Sequence, residues 1–364
     1  MFFIAAYAVA MRDVRKGRGA ASNPSGRYER HRRDAFDDGW DTIDEAQAPL
    51  RTEVRPDASR TVITRNNSPD LGFDRSINVY RGCEHGCVYC YARPTHAYLG
   101  LSPGQDFESR IFAKYEAPAQ LERELARPGY ECRMIAMGTN TDPYQPTERR
   151  LALTRGVLEV LDRHDHPVGI VTKSALVTRD ADILARMARR RLATVALSVT
   201  TLDRDLARTM EPRASTPAKR LEAIKALSDA GVPVGVMVAP IVPGLTDHEM
   251  ELILDAASDA GAGRAGYVLL RLPLEVRELF LEWLSVHAPN RAKRVVSLLQ
   301  GMRAGRLNDA NFGSRMTGAG PYADLLAARF AAATRRLGLT RRGPSLDTGR
   351  FRPPSRDPAQ LTLF

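Results

Sequence analysis

The sequence contains few cysteines, and they are unevenly placed. Cys83, Cys87 and Cys90 lie within eight residues of one another, and Cys132 stands apart from them. A disulfide framework needs cysteines distributed as pairs through a short chain, so this pattern excludes a disulfide-stabilised secreted fold. Clustered cysteines that hold an oxygen-sensitive centre need a reducing compartment. We therefore expect a cytoplasmic location.

The sequence also lacks an apolar run long enough to cross a membrane. The apolar N terminus, MFFIAAYAVA, has ten residues, about half the length of a transmembrane helix. Basic residues follow this run rather than precede it, which is the reverse of a secretory signal peptide. We expect no membrane association, and the polar sequence after Met11 favours Met11 over Met1 as the start of translation.

Acidic residues are outnumbered, with 43 Asp and Glu against 53 Lys and Arg. Residues 12–33 contain eight basic and two acidic side chains, and residues 335–356 contain seven and one. The basic excess therefore lies in two terminal arms rather than over the whole chain. Such arms suit phosphate-rich partners, although they could also serve only to keep the protein in solution.

Composition and periodicity divide the chain into four parts. A polar segment without a hydrophobic period precedes a long region of alternating apolar runs and helical patterns, and a Pro- and Arg-rich stretch follows. We predict an extended, basic and partly disordered N-terminal arm (1–60), an α/β domain (61–290), a C-terminal helical extension (291–339) and a disordered tail (340–364).

Six short apolar runs in the central region have the composition of buried strands. They are residues 76–80, 133–137, 168–172, 194–199, 234–239 and 266–270. Helical patterns follow most of them, at residues 149–163, 179–190, 217–230, 247–260 and 273–286. Parallel strands joined by right-handed helical crossovers predict an α/β fold, a partial (βα)6 barrel of the TIM type. Functional side chains should then lie at the carboxyl ends of the strands.

The first predicted strand leads directly into YRGCEHGCVYCY, residues 80–91. Gly82 and Gly86 permit positive φ angles, so the three thiolates of this loop can converge on one inorganic centre. We expect an iron–sulfur cluster, in which three cysteines bind three irons of a cubane and leave the fourth iron open. The alternative is a zinc site completed by His85 or a distant ligand, but the loop lacks the two separated cysteine pairs of most zinc sites.

The order Cys-x3-Cys-x2-Cys, with Tyr89 directly before the last cysteine, resembles the signature of the radical S-adenosylmethionine (SAM) superfamily. The resemblance implies a [4Fe-4S] cluster on Cys83, Cys87 and Cys90, with SAM bound to the fourth iron. It also implies that one-electron reduction cleaves SAM to a 5′-deoxyadenosyl radical, so that the cofactors carry the difficult chemistry. An electron donor such as flavodoxin or ferredoxin is a further implied partner.

Four later stretches resemble the branch related to spore photoproduct lyase: TDPYQPTE, TKS, LSVTTLD and EPR, which begin at residues 141, 172, 197 and 211. In that branch a lysine after the third strand and a serine of the fourth hold SAM, and the resemblance places these roles on Lys173 and Ser198. Further candidates for SAM, substrate or catalytic contacts are Tyr89, Asn140, Asp142, Thr200 and Arg213. Residues of these polar types also form turns and helix caps, which is the alternative reading.

Tyr91 follows the last cysteine of the loop, where a tyrosine could relay a hydrogen atom or simply pack over the cluster. The resemblance breaks down at the hydrogen-donating cysteine of the lyase, because Thr139 occupies the nearest position. Cys132 lies seven residues earlier, at the N-terminal end of the predicted strand, and should point away from the site. The lesion and the hydrogen donor therefore stay open.

These features favour a radical SAM enzyme that acts on nucleic acid, with DNA repair as the leading hypothesis. A radical SAM enzyme that acts on a small metabolite or a protein side chain is one alternative. A non-catalytic iron–sulfur protein that binds nucleic acid is another. Reductive cleavage of SAM by the reconstituted protein would distinguish an enzyme from a pure binding protein.

The chain ends in QLTLF, residues 360–364, which resembles the pentapeptide that binds the bacterial sliding clamp. Gln360, Leu361, Leu363 and Phe364 keep the spacing of that motif, and Thr362 departs from its usual serine or aspartate. An extended tail can lay the three apolar side chains into a groove while the glutamine forms a hydrogen bond at the rim. Short motifs also arise by chance, so the terminal residues could have no partner.

We predict that a fluorescent peptide covering residues 356–364 binds the sliding clamp of the same organism in a titration followed by fluorescence polarisation. A Leu363→Ala and Phe364→Ala double variant should lose this binding, because it removes two apolar anchors. Equal binding by the double variant, or no binding at high micromolar clamp, would remove this reason for choosing DNA as the substrate.

Overall fold

The computed structural model describes residues 17–29 and 49–355. Within these ranges no helix combines the length and the apolar character needed to span a membrane. The apolar segment 1–10 and the pentapeptide 360–364 lie outside the described residues, and so do most of the basic side chains of the N-terminal arm.

The described residues form ten strands. They are β1 (Glu53–Pro56), β2 (Ile63–Arg65), β3 (Arg75–Ile77), β4 (Tyr80–Arg81), β5 (Arg110–Ala113), β6 (Ile135–Met137), β7 (Val168–Thr172), β8 (Ala193–Ser198), β9 (Val234–Ile241) and β10 (Arg264–Leu269).

Eleven α-helices are described along the same ranges. They are α1 (Gln105–Ser109), α2 (Ala117–Leu125), α3 (Glu148–Leu151), α4 (Leu153–Arg163), α5 (Ala181–Arg189), α6 (Arg204–Met210), α7 (Pro217–Asp229), α8 (Met250–Asp259), α9 (Val276–His287), α10 (Pro289–Gly301) and α11 (Pro321–Arg336). Short 3-10 helices cover Arg93–Leu99, Ala175–Asp180 and Asp247–Glu249.

Seven of the strands form one sheet with the order β10-β9-β8-β7-β6-β3-β2. The six strands from β3 to β10 in this order are parallel, and β2 pairs antiparallel with β3 at the edge. The two edge strands do not pair with each other, so the barrel is open. This arrangement confirms the predicted α/β fold with six parallel strands in a partial barrel.

The strands formed where the apolar runs predicted them, because side chains are buried on both faces of the sheet. All six residues of β8 are buried, for example. The prediction for the first strand was too long, since β3 ends at Ile77. Asn78 is the first residue after the strand, and its side chain accepts hydrogen bonds from the backbone N–H groups of Asn140 and Thr141, at 3.0 and 3.3 Å.

A second, three-stranded sheet has the order β1-β5-β4 and lies beside the cysteine loop. β1 comes from the predicted N-terminal arm and pairs in parallel with β5. β4 pairs antiparallel with β5 and continues into the cysteine loop. The sequence gives little indication of this sheet, because its strands are two to four residues long and carry no extended alternation.

The helical extension forms close to its predicted bounds as α10 and α11. The connection between these helices approaches the carboxyl end of the edge strand β10, where the backbone N–H of Leu269 donates to the carbonyl of Met316 at 2.9 Å. This connection therefore covers part of the open edge of the sheet.

Residues 340–355 pack against the barrel, although the composition predicted disorder for 340–364. Thr340 bridges to Arg264, the backbone N–H of Asp347 donates to Arg191, and that of Arg352 donates to His164. The Phe351 ring lies 5.4 Å from that of Tyr130. A prediction from average composition does not detect such a small number of specific contacts. Because the contacted residues precede or begin strands β7, β8 and β10, the tail runs along the face opposite the carboxyl ends of the strands.

A buried ion pair supports the carboxyl end of β8. The side chains of Glu211 and Arg220 are both 1% exposed and bond each other. Arg220 also donates to the carbonyl of Ser198, at 2.9 Å, and to that of Ser215, at 2.7 Å. Burial acts to raise the pKa of Glu211, but Arg220 and Lys173 outweigh it and lower that pKa to about 2. Glu211 is therefore ionised at neutral pH.

We predict that Arg220→Met destabilises the fold by about 3–5 kcal/mol, because the substitution leaves the Glu211 carboxylate buried without its cation. Urea unfolding followed by circular dichroism measures this loss. The matched control is Arg208→Met, since Arg208 pairs with Asp205 on the surface at 75% exposure, and such a pair contributes at most about 1 kcal/mol. Equal losses in both variants would show that the buried pair has no special role.

Candidate functional site

A pocket of about 250 Å³ opens at the carboxyl ends of the parallel strands. Its walls come from the cysteine loop and from the residues that end or follow β6, β7, β8, β9 and β10, which is where a barrel of this kind places functional side chains. The predicted site residues that line it are Cys83, Cys87, Tyr89, Cys90, Tyr91, Asn140, Asp142, Lys173 and Ser198. Thr200 and Arg213 do not line it.

The cysteine loop has the backbone conformation that its glycines predicted. Gly82 and Gly86 adopt φ angles of +77° and +67°, which an L-residue rarely takes. A Cβ atom on Gly86 would lie 2.7 Å from the Glu108 carboxylate, and one on Gly82 would lie 2.9 Å from the carbonyl oxygen of Phe107. Both positions therefore require glycine for conformational and steric reasons.

A buried ion pair holds the loop from behind. Arg93 and Glu108 are both fully buried and bond each other. The Arg93 guanidinium also donates to the carbonyl oxygens of Gly86 and Cys87, at 3.0 and 2.9 Å. These bonds fix the carbonyls on either side of the second cysteine. The sequence analysis missed this pair, because nothing local distinguishes Arg93 from the many other arginines of the chain.

The N-terminal segment packs against the same carboxylate. Glu108 accepts hydrogen bonds from the backbone N–H groups of Gly19 and Ala20, at 2.9 and 2.8 Å. Gly19 lies so close to the loop that an added Cβ atom would overlap the carbonyl oxygen of Gly86. Part of the predicted arm therefore packs behind the cysteine loop.

The three thiols of the loop are available as metal ligands. Cys83 and Cys87 are buried, Cys90 is partly buried, and all are free of disulfides. Among residues 17–29 and 49–355, no three His, Cys, Asp or Glu side chains gather closely enough to hold one metal ion. His85, the proposed fourth zinc ligand, instead places its Nδ1 3.3 Å from Asp142.

Burial keeps these thiols protonated in the absence of a metal. It raises the pKa of Cys87 to about 12 and also raises the pKa values of Cys83 and Cys90. Thiolate is the form that ligates iron, and a bound cation lowers the pKa of the thiol that it contacts. The pocket is therefore suited to thiols that become charged when they bind their metal.

Asp142 ties two strand ends to the cysteine loop. Its carboxylate accepts hydrogen bonds from the Thr172 hydroxyl at 2.7 Å and from the Lys173 backbone N–H at 2.8 Å, and it faces His85. Burial acts to raise its pKa, but His85 and these donors lower it to about 2. Both oxygens are thus engaged by the chain itself, which fits a positioning role better than proton transfer.

Lys173, directly after β7, and Ser198, at the end of β8, lie together in the pocket. The Lys173 Nζ donates to the Ser198 hydroxyl at 2.9 Å and to the carbonyl of Ala239 at 3.2 Å, and it lies 5.7 Å from the centre of the Tyr89 ring. In the part of the chain that the structure describes, no carboxylate forms an ion pair with Lys173. Its charge is therefore open to an anionic ligand.

Thr200 and Arg213 lie behind the pocket rather than in it. The Thr200 hydroxyl donates to Glu211, at 2.7 Å, and Glu211 also accepts the hydroxyl of Tyr89. The Arg213 guanidinium pairs with Glu84 at 3.0 Å, within the cysteine loop. Thr200 therefore helps to orient Tyr89, and Arg213 holds the cysteine loop from its outer side.

Tyr91 lies at the mouth of the pocket and is 49% exposed. Its hydroxyl donates to the carbonyl oxygen of Thr139, the residue that stands nearest to the position of the lyase cysteine. Cys132 does not line the pocket, and it precedes β6 at the opposite end of the strand. Its placement agrees with the sequence-based expectation that no second thiol is close by.

The sequence analysis missed Arg271, which follows β10 and also lines the pocket. Its guanidinium lies over the Tyr91 ring, 5.6 Å from the centre. Its position just after the last predicted strand was the available signal, but arginine is frequent throughout this chain.

The chain resembles known proteins in sequence and in structure. Residues 77–257 match the family model described as the radical SAM superfamily. An uncharacterised protein of Mycobacterium tuberculosis is 40% identical over 230 residues, which cover 63% of this chain and 68% of that protein. An uncharacterised protein of Methanocaldococcus jannaschii is 30% identical over 173 residues, which cover 48% and 62% respectively.

Two solved structures of spore photoproduct lyase share the fold, each with a TM-score of 0.56 and coverage of 79% of this chain and 80% of the other. One is complexed with dinucleoside spore photoproduct, at 15% identity. The other is a double mutant with bound SAM and the same dinucleoside, at 16% identity. The cofactors of this family are a [4Fe-4S] cluster and SAM, in agreement with the prediction from the cysteine loop. By its family match, its relatives and its fold, the chain belongs to the radical SAM superfamily.

Proposed function

We propose that the protein is a cytoplasmic radical SAM enzyme that acts on nucleic acid, most simply in DNA repair. One observation carries the enzymatic part of this proposal: three free cysteines and the Lys173–Ser198 pair line a single pocket at the strand ends. The substrate class rests on two other observations, the basic terminal arms and the fold shared with a lyase whose structure holds a dinucleoside photoproduct.

In this proposal Cys83, Cys87 and Cys90 would hold the cluster, with SAM bound beside it. When reduced by an external electron donor, the cluster would supply the one electron that divides SAM into methionine and a 5′-deoxyadenosyl radical, the species that would abstract hydrogen from the substrate. Lys173 binds the SAM carboxylate through its ammonium, and Ser198 orients that ammonium. The apolar walls of the pocket, which include Met237 and Val268, exclude water from the reacting groups.

Tyr91 is the proposed hydrogen-atom relay. It directly follows the last cluster cysteine, and its hydroxyl contacts the backbone of Thr139, where no thiol is present. A phenolic O–H at this place would stand between the pocket and the position that a donor cysteine occupies in the lyase. Packing of the ring over the cluster is the alternative role, and the Arg271 contact with the ring is compatible with both.

The sliding clamp is a proposed partner through Gln360, Leu361, Leu363 and Phe364, which lie outside the described residues. Ser355 is the last described residue of a tail that runs along the face opposite the pocket. The segment between Ser355 and Gln360 is short, because an extended chain spans roughly 3.3 Å per residue. A bound clamp would therefore lie on the side of the barrel away from the pocket, which would leave the pocket free for substrate. A reductant such as flavodoxin or ferredoxin is the other partner that we propose.

We predict that Cys83→Ala, Cys87→Ala and Cys90→Ala each abolish cluster assembly and the cleavage of SAM, because each removes a covalent iron ligand. Iron content and 5′-deoxyadenosine formation after anaerobic reconstitution measure these losses. Cys132→Ala is the control and should keep both. An equal loss of iron in the Cys132 variant would contradict the assignment, and a loaded wild-type protein that cannot cleave SAM would favour a pure binding role.

Lys173→Met should keep the cluster but weaken SAM binding by about tenfold to a hundredfold, since a hydrogen bond to a charged group contributes about 1.5–3 kcal/mol. Equilibrium dialysis with labelled SAM measures the effect. Lys219→Met is the control, because Lys219 is 62% exposed and pairs with Glu222 on the surface. If SAM affinity is unchanged in the Lys173 variant, another group binds the carboxylate.

A further inference from the structure

The charged side chains of the pocket are not equally satisfied. His85 and Asp142 face each other, and Lys173 donates to a hydroxyl and a carbonyl oxygen. Arg271 has the poorest set of partners. In the part of the chain that the structure describes, its single hydrogen bond goes to the Met316 sulfur at 3.6 Å, and its Nε is buried without a partner.

Among the described residues no carboxylate forms an ion pair with the Arg271 guanidinium, and the nearby Asp70 already pairs with Arg315 at 2.5 Å. Burial lowers the pKa of Arg271, and the charge of Arg315 lowers it further, while Tyr91 and Asp70 act in the opposite direction. A partly buried cation without an anion is costly, so the site is arranged for an anion that comes from outside the chain.

Among the described residues, three other arginines have a buried and unpartnered Nε, but their surroundings differ. Arg75 donates to the carbonyl of Glu131, Arg303 donates to the carbonyls of Leu270 and Arg315, at 2.7 and 3.3 Å, and Arg264 donates to that of Val195 at 3.4 Å. None of the three lines the pocket. Their guanidinium groups bind the backbone, whereas that of Arg271 has no oxygen acceptor within the described ranges.

The position of Arg271 separates it from the cation that we assign to SAM. Lys173 follows β7 and Arg271 follows β10, and two strands lie between them in the sheet. At about 4.8 Å between neighbouring strands, the two strand ends are roughly 10–15 Å apart. The two cations therefore enter the pocket from well-separated strand ends, and we assign them to different anionic groups.

We propose that Arg271 binds a phosphodiester group of the substrate at the mouth of the pocket. This inference rests on the proposed function, because it assumes a nucleic-acid substrate. A guanidinium presents parallel N–H donors that match two phosphate oxygens, and its rigid plane suits such a contact better than a lysine does. The stacking of Arg271 over the Tyr91 ring sets the orientation of that plane, beside the residue that follows the cluster motif.

The test uses the reconstituted full-length enzyme and a fluorescein-labelled oligothymidylate of about ten nucleotides, with binding followed by fluorescence anisotropy. We expect Arg271→Gln to weaken binding by about tenfold or more, as for a lost charge-assisted hydrogen bond. The slope of log affinity against log salt should fall by about 0.7, the value for one phosphate contact on a single strand. Arg271→Lys should restore part of the affinity.

Two controls accompany this measurement. Arg277→Gln changes an arginine that is 55% exposed and pairs with Glu278 outside the pocket, and it should bind as the wild type does. A methylphosphonate oligothymidylate, which has no backbone charge, should bind the wild type and Arg271→Gln with equal affinity. SAM affinity and iron content should be unchanged in Arg271→Gln.

The outcomes separate this inference from the proposed function. If the wild type binds the oligonucleotide and Arg271→Gln binds it equally well, the role of Arg271 is wrong while the nucleic-acid proposal stands. A selective loss of SAM affinity in Arg271→Gln would assign Arg271 to the cofactor instead and overturn the inference. If the wild type does not bind either oligonucleotide, both proposals fall together.

Discussion

The ion pair between Arg93 and Glu108 is the interaction on which the site depends most. It is fully buried, so its two charges must satisfy each other, and each uses its remaining hydrogen-bonding capacity on a different part of the chain. Arg93 binds the carbonyls of the cysteine loop, and Glu108 binds the backbone of the N-terminal segment. A buried pair of this kind constrains geometry more than it adds stability. Here it joins the N-terminal segment, the cysteine loop and helix α1 behind Cys83, Cys87 and Cys90.

The other buried carboxylates repeat this arrangement at the strand ends. Asp142 connects the loop after β6 to the end of β7, and Glu211 connects Tyr89 to the helix that carries Arg220. Both carboxylates have lowered pKa values because their donors outweigh the cost of burial. The acids near the pocket are thus used internally. Two cations, Lys173 and Arg271, face the space where ligands bind, which suits a cofactor and a substrate that both carry negative groups.

The sequence by itself determined the architecture and the centre of the site. Six apolar runs predicted the six parallel strands because buried strands need apolar side chains on both faces. Gly82 and Gly86 predicted the turns of the cysteine loop, since only glycine adopts their backbone angles at no steric cost. Local spacing was enough to bring three cysteines together, and the ends of the strands pointed to Asn140, Asp142, Lys173 and Ser198.

Only the tertiary structure decided what surrounds that centre. Arg93, Glu108 and Gly19 meet through contacts across as many as 89 residues, and no local pattern marks a residue whose partner is so distant. The composition of 340–364 predicted a disordered tail, whereas in the structure a few specific contacts, such as the ring of Phe351 against Tyr130, hold residues 340–355 against the barrel. Thr200 and Arg213 lie behind the pocket rather than in it for the same reason. Their partners Glu211 and Glu84 are held there by the packing of other elements. Sequence periodicity reports which side chains need burial, whereas the pairing of buried charges is settled only when the elements pack.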